Sequence, residues 1–348
     1  MRWPRSTGRR LLFVGMYVLF LWGLYWGASR VYWRVRAGVP LQETPRVWDH
    51  YYPELRRSGV LEADIRAGDE TVDVLMLGAS TIEHGWGNIE ELLQEGLARE
   101  LQRPVRVFNL ATVAHTSRDS ALKFSQVREK PFDLVLVYDG FNDVRMNNCP
   151  PEIFRDDYSH CTWYRAMEAR FKAGRVNLPE TLLEPLANLR DTIGQGGMER
   201  PEWAKYGCEV KTLEPFRKNL TEIIAGTEQA GGLPLLMTFA WHIPDDYTRE
   251  RFEAHELDYG PPFASKPCGV EMWGLPECVR PAIMAHNRVI RDLAEEHPQA
   301  VFIDQAALMN DTPANFADPC HFTAEGCRTF VDNLLPTVVE RLRAREQR

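Results

Sequence analysis

The sequence predicts an α/β fold of three layers, in which helices cover both faces of a five-stranded parallel sheet, preceded by one transmembrane helix. Two observations predict it. Short strands that are apolar throughout alternate with amphipathic helices along the body of the chain, a pattern typical of parallel sheets buried on both faces. Near the N-terminus, the eighteen residues from Leu11 to Ala28 carry no charge, which adds the membrane helix.

The strands and helices follow one another in a regular order without internal repeats. The expected strands are 72–77, 105–109, 133–138, 233–239 and 300–303. The expected helices follow Asn88, Ser117 and Thr323, which are residue types that cap helix N-termini, or cover 214–230 and 282–296. The helix after Asn88 ends near residue 102, the helix after Ser117 ends near 129, and the helix after Thr323 ends near 343.

The apolar segment is interpreted as a retained signal anchor. A helix of this length spans about 27 Å at 1.5 Å per residue, close to a bilayer core of about 30 Å. Tryptophans and tyrosines crowd its C-terminal end, as they do at membrane interfaces. The alternative is a cleavable signal peptide with a weak cut site at Gly27-Ala28-Ser29. A buried soluble helix is disfavoured because no face of the segment is polar.

Charge is distributed unevenly along the 348 residues. Residues 1–36 contain seven arginines and no acidic residue, so the remaining 34 basic and 49 acidic residues give −15, against −8 for the whole chain. This acidic body argues against nucleic-acid binding, because phosphate contacts need a basic surface. Four arginines precede the apolar segment and three follow it, so the positive-inside rule favours a cytoplasmic N-terminus with the body outside.

The predicted organisation has four parts. Residues 1–10 form a cytoplasmic arginine-rich N-terminus, 11–29 the transmembrane anchor, 30–70 a juxtamembrane stalk with a first helix or two, and 71–348 the main domain. Two stretches, 145–211 and 241–280, interrupt the alternation of strands and helices. Both follow the C-terminal ends of strands, where open α/β sheets bind ligands, so we expect them to form a lid or a substrate wall.

Six of the seven cysteines are close in sequence in three pairs, which suits an oxidising compartment. The pairs are Cys149 with Cys161, Cys268 with Cys278, and Cys320 with Cys327, and Cys208 is left over. Seven free thiols in a reducing compartment are the alternative. Metal binding is not expected, because there is no CxxC motif and no spacing typical of a zinc site.

Polar motifs stand at the strand ends. Gly78-Ala79-Ser80 follows the first strand, the stretch 109–117 (NLATVAHTS) follows the second, and Gly140-Phe-Asn142-Asp143 follows the third. Asp318-Pro-Cys-His321 precedes the last helix. In this order, these four elements resemble the four blocks of the SGNH, or GDSL-type, hydrolase family, over roughly residues 71–345. The resemblance implies a flavodoxin-like fold and a serine esterase.

The resemblance also implies residue roles. Ser80 corresponds to the nucleophile, His321 to its general base and Asp318 to the carboxylate that orients the base. The oxyanion hole corresponds to the side chain of Asn142 with the backbone N–H groups of Ser80 and Ala114. No metal and no organic cofactor is implied.

The sequence departs from the family pattern at two positions. Ala79 replaces the aspartate of Gly-Asp-Ser, which is not a member of the triad. Ala114 replaces a glycine; only its N–H is needed, and alanine supplies that readily at negative φ, whereas a positive φ would distort the hole. The other polar and aromatic residues near strand ends are expected to line the pocket, to pack in the core or to bond backbone rather than to react. They are His84, His115, Asp143, His242, Trp86, Trp241 and Trp273.

The expected function is that of a membrane-anchored esterase outside the cytoplasm, at the cell surface or in the periplasm, acting on a small-molecule, glycan or lipid ester. Two alternatives remain open. One is an O-acyltransferase that moves the acyl group to a cell-envelope glycan, with a membrane protein as acyl donor. The other is a non-catalytic glycan-binding module, which only the change at Ala114 favours. The sequence predicts neither the oligomeric state nor the identity of the substrate.

Overall fold

The computed structural model describes residues 5–179, 181–182, 200–262 and 267–346. In these ranges, five strands form one sheet in the order β2-β1-β3-β4-β5, and all neighbours are parallel. The strands are β1 (Val72–Gly78), β2 (Val105–Asn109), β3 (Leu134–Tyr138), β4 (Leu233–Met237) and β5 (Val301–Ile303). The predicted fold class is therefore confirmed.

The α-helices of the described ranges divide into an N-terminal group and those that alternate with the strands. The first group is α1 (Arg5–Ala37), α2 (Val47–Tyr51) and α3 (Glu54–Arg57). The others are α4 (Ile89–Leu101), α5 (Ser117–Ser125), α6 (Phe141–Arg145), α7 (Thr162–Ala173), α8 (Leu213–Gln229), α9 (Arg249–Glu253), α10 (Pro276–Glu296), α11 (Gln305–Met309) and α12 (Ala324–Glu346). Short 3-10 turns lie at Ser80–Ile82, Pro201–Tyr206, Val270–Met272 and Pro313–Asn315.

The two faces of the sheet pack into separate hydrophobic cores. Along β1, Val74 and Met76 point into the core beneath α4 and α12, whereas Leu75 and Leu77 point into the core beneath α5 and α8. Successive side chains of a strand face opposite sides, so an unbroken apolar strand requires a cover on both. This explains why β1 is buried along its whole length.

Element boundaries differ from expectation at the start of α10 and the end of α5. α10 begins at Pro276, six residues before the predicted start, because proline is tolerated in the first helical turn. α5 ends at Ser125 rather than near residue 129, and the chain continues through turns in which Gln126 N–H bonds to Lys123 O. Thr116, not Ser117, precedes its first turn, and Asp119 accepts the Thr116 N–H in a capping box.

α1 contains one segment, Gly8–Ala37, that is long and apolar enough to cross a membrane, and its apolar window is not buried in the protein. The next segment contains the short helices α2 and α3, in agreement with the expected first helix or two, and it packs against the domain. Trp33 and Ala37 at the end of α1 pack with Val39, and Tyr52 and Leu55 belong to the core beneath β1 and β3. The apolar residues of 39–65 show no clear period, so the sequence did not predict that this segment packs against the domain.

The expected cysteine pairs are wrong. Cys208 forms a disulfide with Cys278, 70 residues away, which links the insertion after β3 to the first turn of α10. The described residues form no other disulfide, so none of the three expected pairs is present. Proximity in sequence did not predict the pairing, because the two insertions are distant in sequence and meet only in the tertiary structure. Parts of both insertions, residues 180, 183–199 and 263–266, lie outside the described residues.

Candidate active site

Ser80 lies in the 3-10 turn at the C-terminal end of β1, which is flanked by β2 and β3 in the sheet. The last residue of the strand must be small: a Cβ on Gly78 would lie 2.8 Å from the carbonyl oxygen of Tyr138 on β3. The chain then turns sharply at Ala79 and places Ser80, which is 8% exposed, at the edge where ligands bind open α/β sheets.

Asp318 and His321 lie on a closed loop before α12. An isolated antiparallel bridge joins Phe316 to Phe322, and the Ala317 N–H donates to the His321 carbonyl oxygen at 2.8 Å. The closed loop therefore keeps Asp318 and His321, the predicted acid and base, side by side. Both are buried, Asp318 to 1% and His321 to 6% exposure.

The three side chains form a continuous hydrogen-bonded chain. Ser80 Oγ lies 2.8 Å from His321 Nε2, and His321 Nδ1 lies 2.7 Å from Asp318 Oδ2. The backbone N–H groups of Cys268, Cys320 and His321 also donate to the Asp318 carboxylate, at 3.0, 3.0 and 2.8 Å. With its proton on Nδ1, toward Asp318, His321 presents a free lone pair on Nε2 to the serine hydroxyl.

Asn142 lies in the first turn of α6, directly after β3. Gly140, at φ +133, turns the chain there in a conformation that only glycine adopts readily. The Asn142 Nδ2 donates to His115 O at 2.8 Å, and its Oδ1 accepts the indole N–H of Trp273 at 2.8 Å. These bonds fix the orientation of the amide and leave its second N–H for a ligand.

Ala114 adopts φ +63, the left-handed conformation that glycine favours. The loop therefore keeps the backbone shape of a glycine at this position, although the sequence has alanine. The Glu83 carboxylate holds the neighbouring residue by accepting the Val113 N–H at 2.7 Å. The positive φ that we expected to distort the oxyanion hole is thus present at Ala114. Glu83, three residues after Ser80, stabilises this backbone conformation through its hydrogen bond to Val113.

Two tryptophans lie beside His321, the predicted base. Trp86 packs against His321 with ring centroids 4.6 Å apart, and Trp273 lies 6.5 Å from the same imidazole. Both are buried. No sequence signal distinguishes these two tryptophans from Trp241, because both reach the site through long-range packing. The burial they provide strengthens electrostatic interactions at the site.

The three other histidines near predicted strand ends do not bond to Ser80 through their side chains. His84 is exposed and pairs with Glu90 at 3.1 Å, and that partner raises its pKa. His242 lies 3.1 Å from Asp258. His115 is buried beside the Lys123 ammonium, and desolvation followed by that charge lowers its pKa. Each of the three thus has a polar partner other than Ser80.

Two buried aspartates, Asp139 and Asp143, lie close to Asn142 in the sequence. Asp143 accepts the N–H and hydroxyl of Ser117 and the hydroxyl of Tyr158, and burial raises its pKa to about 6. Neither oxygen of Asp139 has a hydrogen-bond partner of normal geometry among the described residues. Burial, together with the nearby Asp143, raises the pKa of Asp139 to about 7. Asp139 lines the small cleft that contains Ser80 and Asn142.

Asp318, Cys320 and His321 place possible ligand atoms within 4.8 Å of one another. The Asp318 carboxylate and His321 Nδ1 are already bonded to each other, and His321 Nε2 faces Ser80. A metal bound to these atoms would break the chain of hydrogen bonds to the serine. The arrangement therefore fits proton transfer from a hydroxyl better than metal coordination.

Several solved structures resemble the chain at low identity. A variant of an acetyl xylan esterase from Geobacillus stearothermophilus is 15% identical, with a TM-score of 0.43, over 79% of this chain and 96% of that one. A lipase/acylhydrolase from Enterococcus faecalis is 14% identical, with a TM-score of 0.43, over 77% and 96%. An α/β hydrolase from the metagenome of Lake Arreo is 16% identical, with a TM-score of 0.44, over 78% and 96%. At these values, the likenesses carry no argument about substrate.

No curated protein sequence matches the chain. The model of the GDSL-like lipase/acylhydrolase family matches residues 76–329, which is well over half of the chain and includes all four motifs at the strand ends. The chain therefore belongs to the GDSL-like lipase/acylhydrolase family and is an ester hydrolase.

Proposed function

We propose that the protein is a membrane-anchored serine esterase that works outside the cytoplasm through an acyl-serine intermediate. The observation that carries the proposal is the hydrogen-bonded chain Ser80–His321–Asp318, with distances of 2.8 and 2.7 Å. A serine hydroxyl becomes nucleophilic when an adjacent base accepts its proton, and the base needs a partner that fixes its tautomer.

In the first half of the reaction, Ser80 Oγ attacks the ester carbonyl while its proton moves to His321 Nε2. The negative charge that develops on the carbonyl oxygen is stabilised by the backbone N–H groups of Ser80 and Ala114 and by the free amide N–H of Asn142. Asp318 stabilises the imidazolium. His321 then gives the proton to the departing alcohol, which leaves an acyl group on Ser80.

In the second half, a water molecule loses its proton to His321 Nε2 and attacks the acyl-serine. The same three donors stabilise the second tetrahedral intermediate. Its collapse releases the carboxylic acid, and the proton on His321 returns to Ser80 Oγ. The buried setting of His321 against Trp86 keeps bulk solvent away from the charges that form.

Two features support the anchor and its orientation. The apolar window of α1 is not buried by the parts of the chain that the structure describes, as expected for a helix surrounded by lipid. The disulfide Cys208–Cys278 suits an oxidising compartment, in agreement with the side that the arginine distribution favours. The proposal places the domain at the outer surface of the membrane.

Hydrolysis of a short-chain aryl ester by the full-length chain in detergent tests the proposal. The variant Ser80→Ala removes the attacking oxygen, and we expect its turnover to fall by at least about a thousandfold, with the circular dichroism spectrum unchanged. Ser125→Ala, at the exposed end of α5, is the matched control and should retain full activity. Undiminished turnover by Ser80→Ala would overturn the assignment of the nucleophile.

A further inference from the structure

A cavity of about 1030 Å³ adjoins the loop that carries Ala114. Ala114 and His115 form part of its wall, and His115 also lines the cleft that contains Ser80. Glu83 borders the cavity and interacts electrostatically with His321. A group bound in this cavity is therefore next to the reacting ester.

The other end of the cavity is built by the membrane-proximal part of the chain. Arg36, in the last turn of α1, and Arg57, at the end of α3, both line it, and the Arg57 guanidinium donates to the Arg36 carbonyl oxygen. Arg36 lies eight residues beyond Ala28, which is about 12 Å along a helix at 1.5 Å per residue. The headgroup layer of a bilayer is roughly 5–8 Å thick. On the proposed topology, the cavity lies just above the membrane surface.

The wall of the cavity carries guanidinium groups that no carboxylate neutralises. Four arginines line it: Arg36, Arg57, Arg145 and Arg200. In the part of the chain that the structure describes, none of them forms an ion pair, although the domain carries an excess of acidic residues. Arg200 instead lies over the Trp203 ring at 4.3 Å. Unpaired arginines gathered in one cavity of an acidic protein indicate a place for an external anion.

The acidic residues of the same wall already have partners. They are Glu54, 3.5 Å from the Lys123 ammonium, Glu83, which accepts the Val113 N–H, and Glu90, which pairs with His84 at 3.1 Å. These carboxylates are therefore partly neutralised or tied to backbone. The aromatic side chains of Tyr51, Trp163 and Trp203 complete the wall and give an apolar surface beside the charges.

We infer that the cavity binds an anionic part of the substrate, so that the enzyme acts on an ester that also carries a phosphate or carboxylate group. This inference rests on the proposed esterase function. The planar guanidinium matches the oxygens of both anions, and charge-assisted hydrogen bonds to them are the strong ones. The anion occupies the arginine-lined end, while the ester carbonyl reaches Ser80 past Ala114. The anionic group belongs either to a membrane phospholipid or to a soluble ester.

The test compares two short-chain aryl esters that differ only in a phosphate substituent on the aryl ring, with the full-length chain in neutral detergent. Arg36→Gln and Arg145→Gln remove one cavity charge each. Arg34→Gln, in the same turn of α1, and Arg165→Gln, on α7, remove exposed charges that do not line the cavity. We expect each cavity variant to lose about tenfold in kcat/KM for the phosphate-bearing ester. With the neutral ester, kcat/KM of the two cavity variants should change less than about twofold. The two control variants should change less than about twofold with either ester.

A second measurement does not need turnover. Equilibrium binding of a simple aryl phosphate should be detectable for the wild-type chain and about tenfold weaker for the two cavity variants. A chain that binds the aryl phosphate in this way but hydrolyses no ester would contradict the proposed function and still support the anion site. Equal losses in cavity and control variants, or equal kcat/KM for the two esters in the wild type, would overturn the anion site.

The source of the anion is decided with lipid substrates. Mixed micelles of phosphatidylglycerol or of zwitterionic phosphatidylcholine are offered to the same variants, and fatty-acid release is measured. Loss of activity on phosphatidylglycerol in Arg36→Gln and Arg145→Gln, but not in Arg34→Gln, assigns the site to a phospholipid. If the same two variants lose activity only on the soluble phosphate-bearing ester, the site is assigned to a soluble anionic ester.

Discussion

The indole N–H of Trp273 donates a 2.8 Å hydrogen bond to the side-chain oxygen of Asn142. The two residues are 131 positions apart, and Trp273 belongs to the insertion that follows β4. This bond fixes which end of the amide points toward His115. On the proposed mechanism it also determines which amide proton remains for the carbonyl oxygen of the substrate, so the second insertion takes part in the proposed oxyanion hole.

Replacement of Trp273 by phenylalanine should lower kcat with little change in KM. Phenylalanine keeps most of the ring packing on Phe141 but cannot donate to Asn142, so the amide loses a constraint that matters in the transition state. We expect a loss of about tenfold in kcat, which corresponds to one hydrogen bond of about 1.4 kcal/mol. Trp241→Phe, which has no such bond to Asn142, is the control. Equal kinetics for both variants would contradict a positioning role for Trp273.

Ala114→Gly should preserve activity and leave the unfolding free energy unchanged or raised by up to about 1 kcal/mol. The left-handed conformation costs alanine about 1–2 kcal/mol, and the greater freedom of glycine in the unfolded chain offsets part of the gain. Chemical denaturation measures the change. Ala111→Gly, on the same loop but without a positive φ, should destabilise the protein. A loss of stability in Ala114→Gly as large as in Ala111→Gly would show that no strain is relieved.

Asp139 should make the folded state less stable as pH rises from 4 to 8. Its pKa is raised from 3.8 to about 7 in the folded state, so the folded protein retains a proton that the unfolded chain has lost. The stabilisation is complete below pH 3.8 and is lost as pH rises through about 7. Asp139→Asn should therefore flatten the pH dependence of unfolding by an amount on the order of a few kcal/mol.

Urea unfolding of the wild type, Asp139→Asn and the exposed control Asp156→Asn at several pH values from 4 to 8 measures this effect. The control should follow the wild-type curve, since its side chain is surrounded by solvent. Parallel curves for Asp139→Asn and the wild type would show that Asp139 loses its proton in the folded state as easily as in the unfolded state.

Loss of the disulfide should destabilise the protein. Cys208→Ser removes a cross-link between residues 70 positions apart, and we expect the unfolding free energy to fall by about 2–4 kcal/mol. Treatment of the wild type with a reductant provides the control, because it should lower the stability to that of the variant and leave the variant unaffected. A wild-type protein that is insensitive to reductant would contradict the link between the two insertions.

The strands and the four motifs could be predicted because their signals are local. Ser80, Asn142, Asp318 and His321 each stand at a strand end or on one short loop, and parallel topology brings such ends to the same edge. Ala114 was identified as well, but its φ of +63 could not be predicted. That conformation depends on the hydrogen bond between Glu83 and the loop at Val113, which a single sequence does not reveal.

Contacts between distant segments could not be predicted. The Cys208–Cys278 bond, the packing of Tyr52 beneath the sheet and the contact of Trp86 with His321 all depend on the tertiary fold. Their residue types have equally plausible places in a loop, a stalk or a core. Apolar burial and packing, rather than local periodicity, decide these positions.

Covalent labelling of the full-length chain with a fluorophosphonate, followed by peptide mass spectrometry, tests the central claim most directly. Labelling requires a serine activated by its neighbours, so we expect the probe on Ser80, with a rate at least about a hundredfold lower in His321→Gln. No label should appear in Ser80→Ala. Labelling of another residue, or an unchanged rate in His321→Gln, would contradict the proposal that the chain Ser80–His321–Asp318 activates the nucleophile.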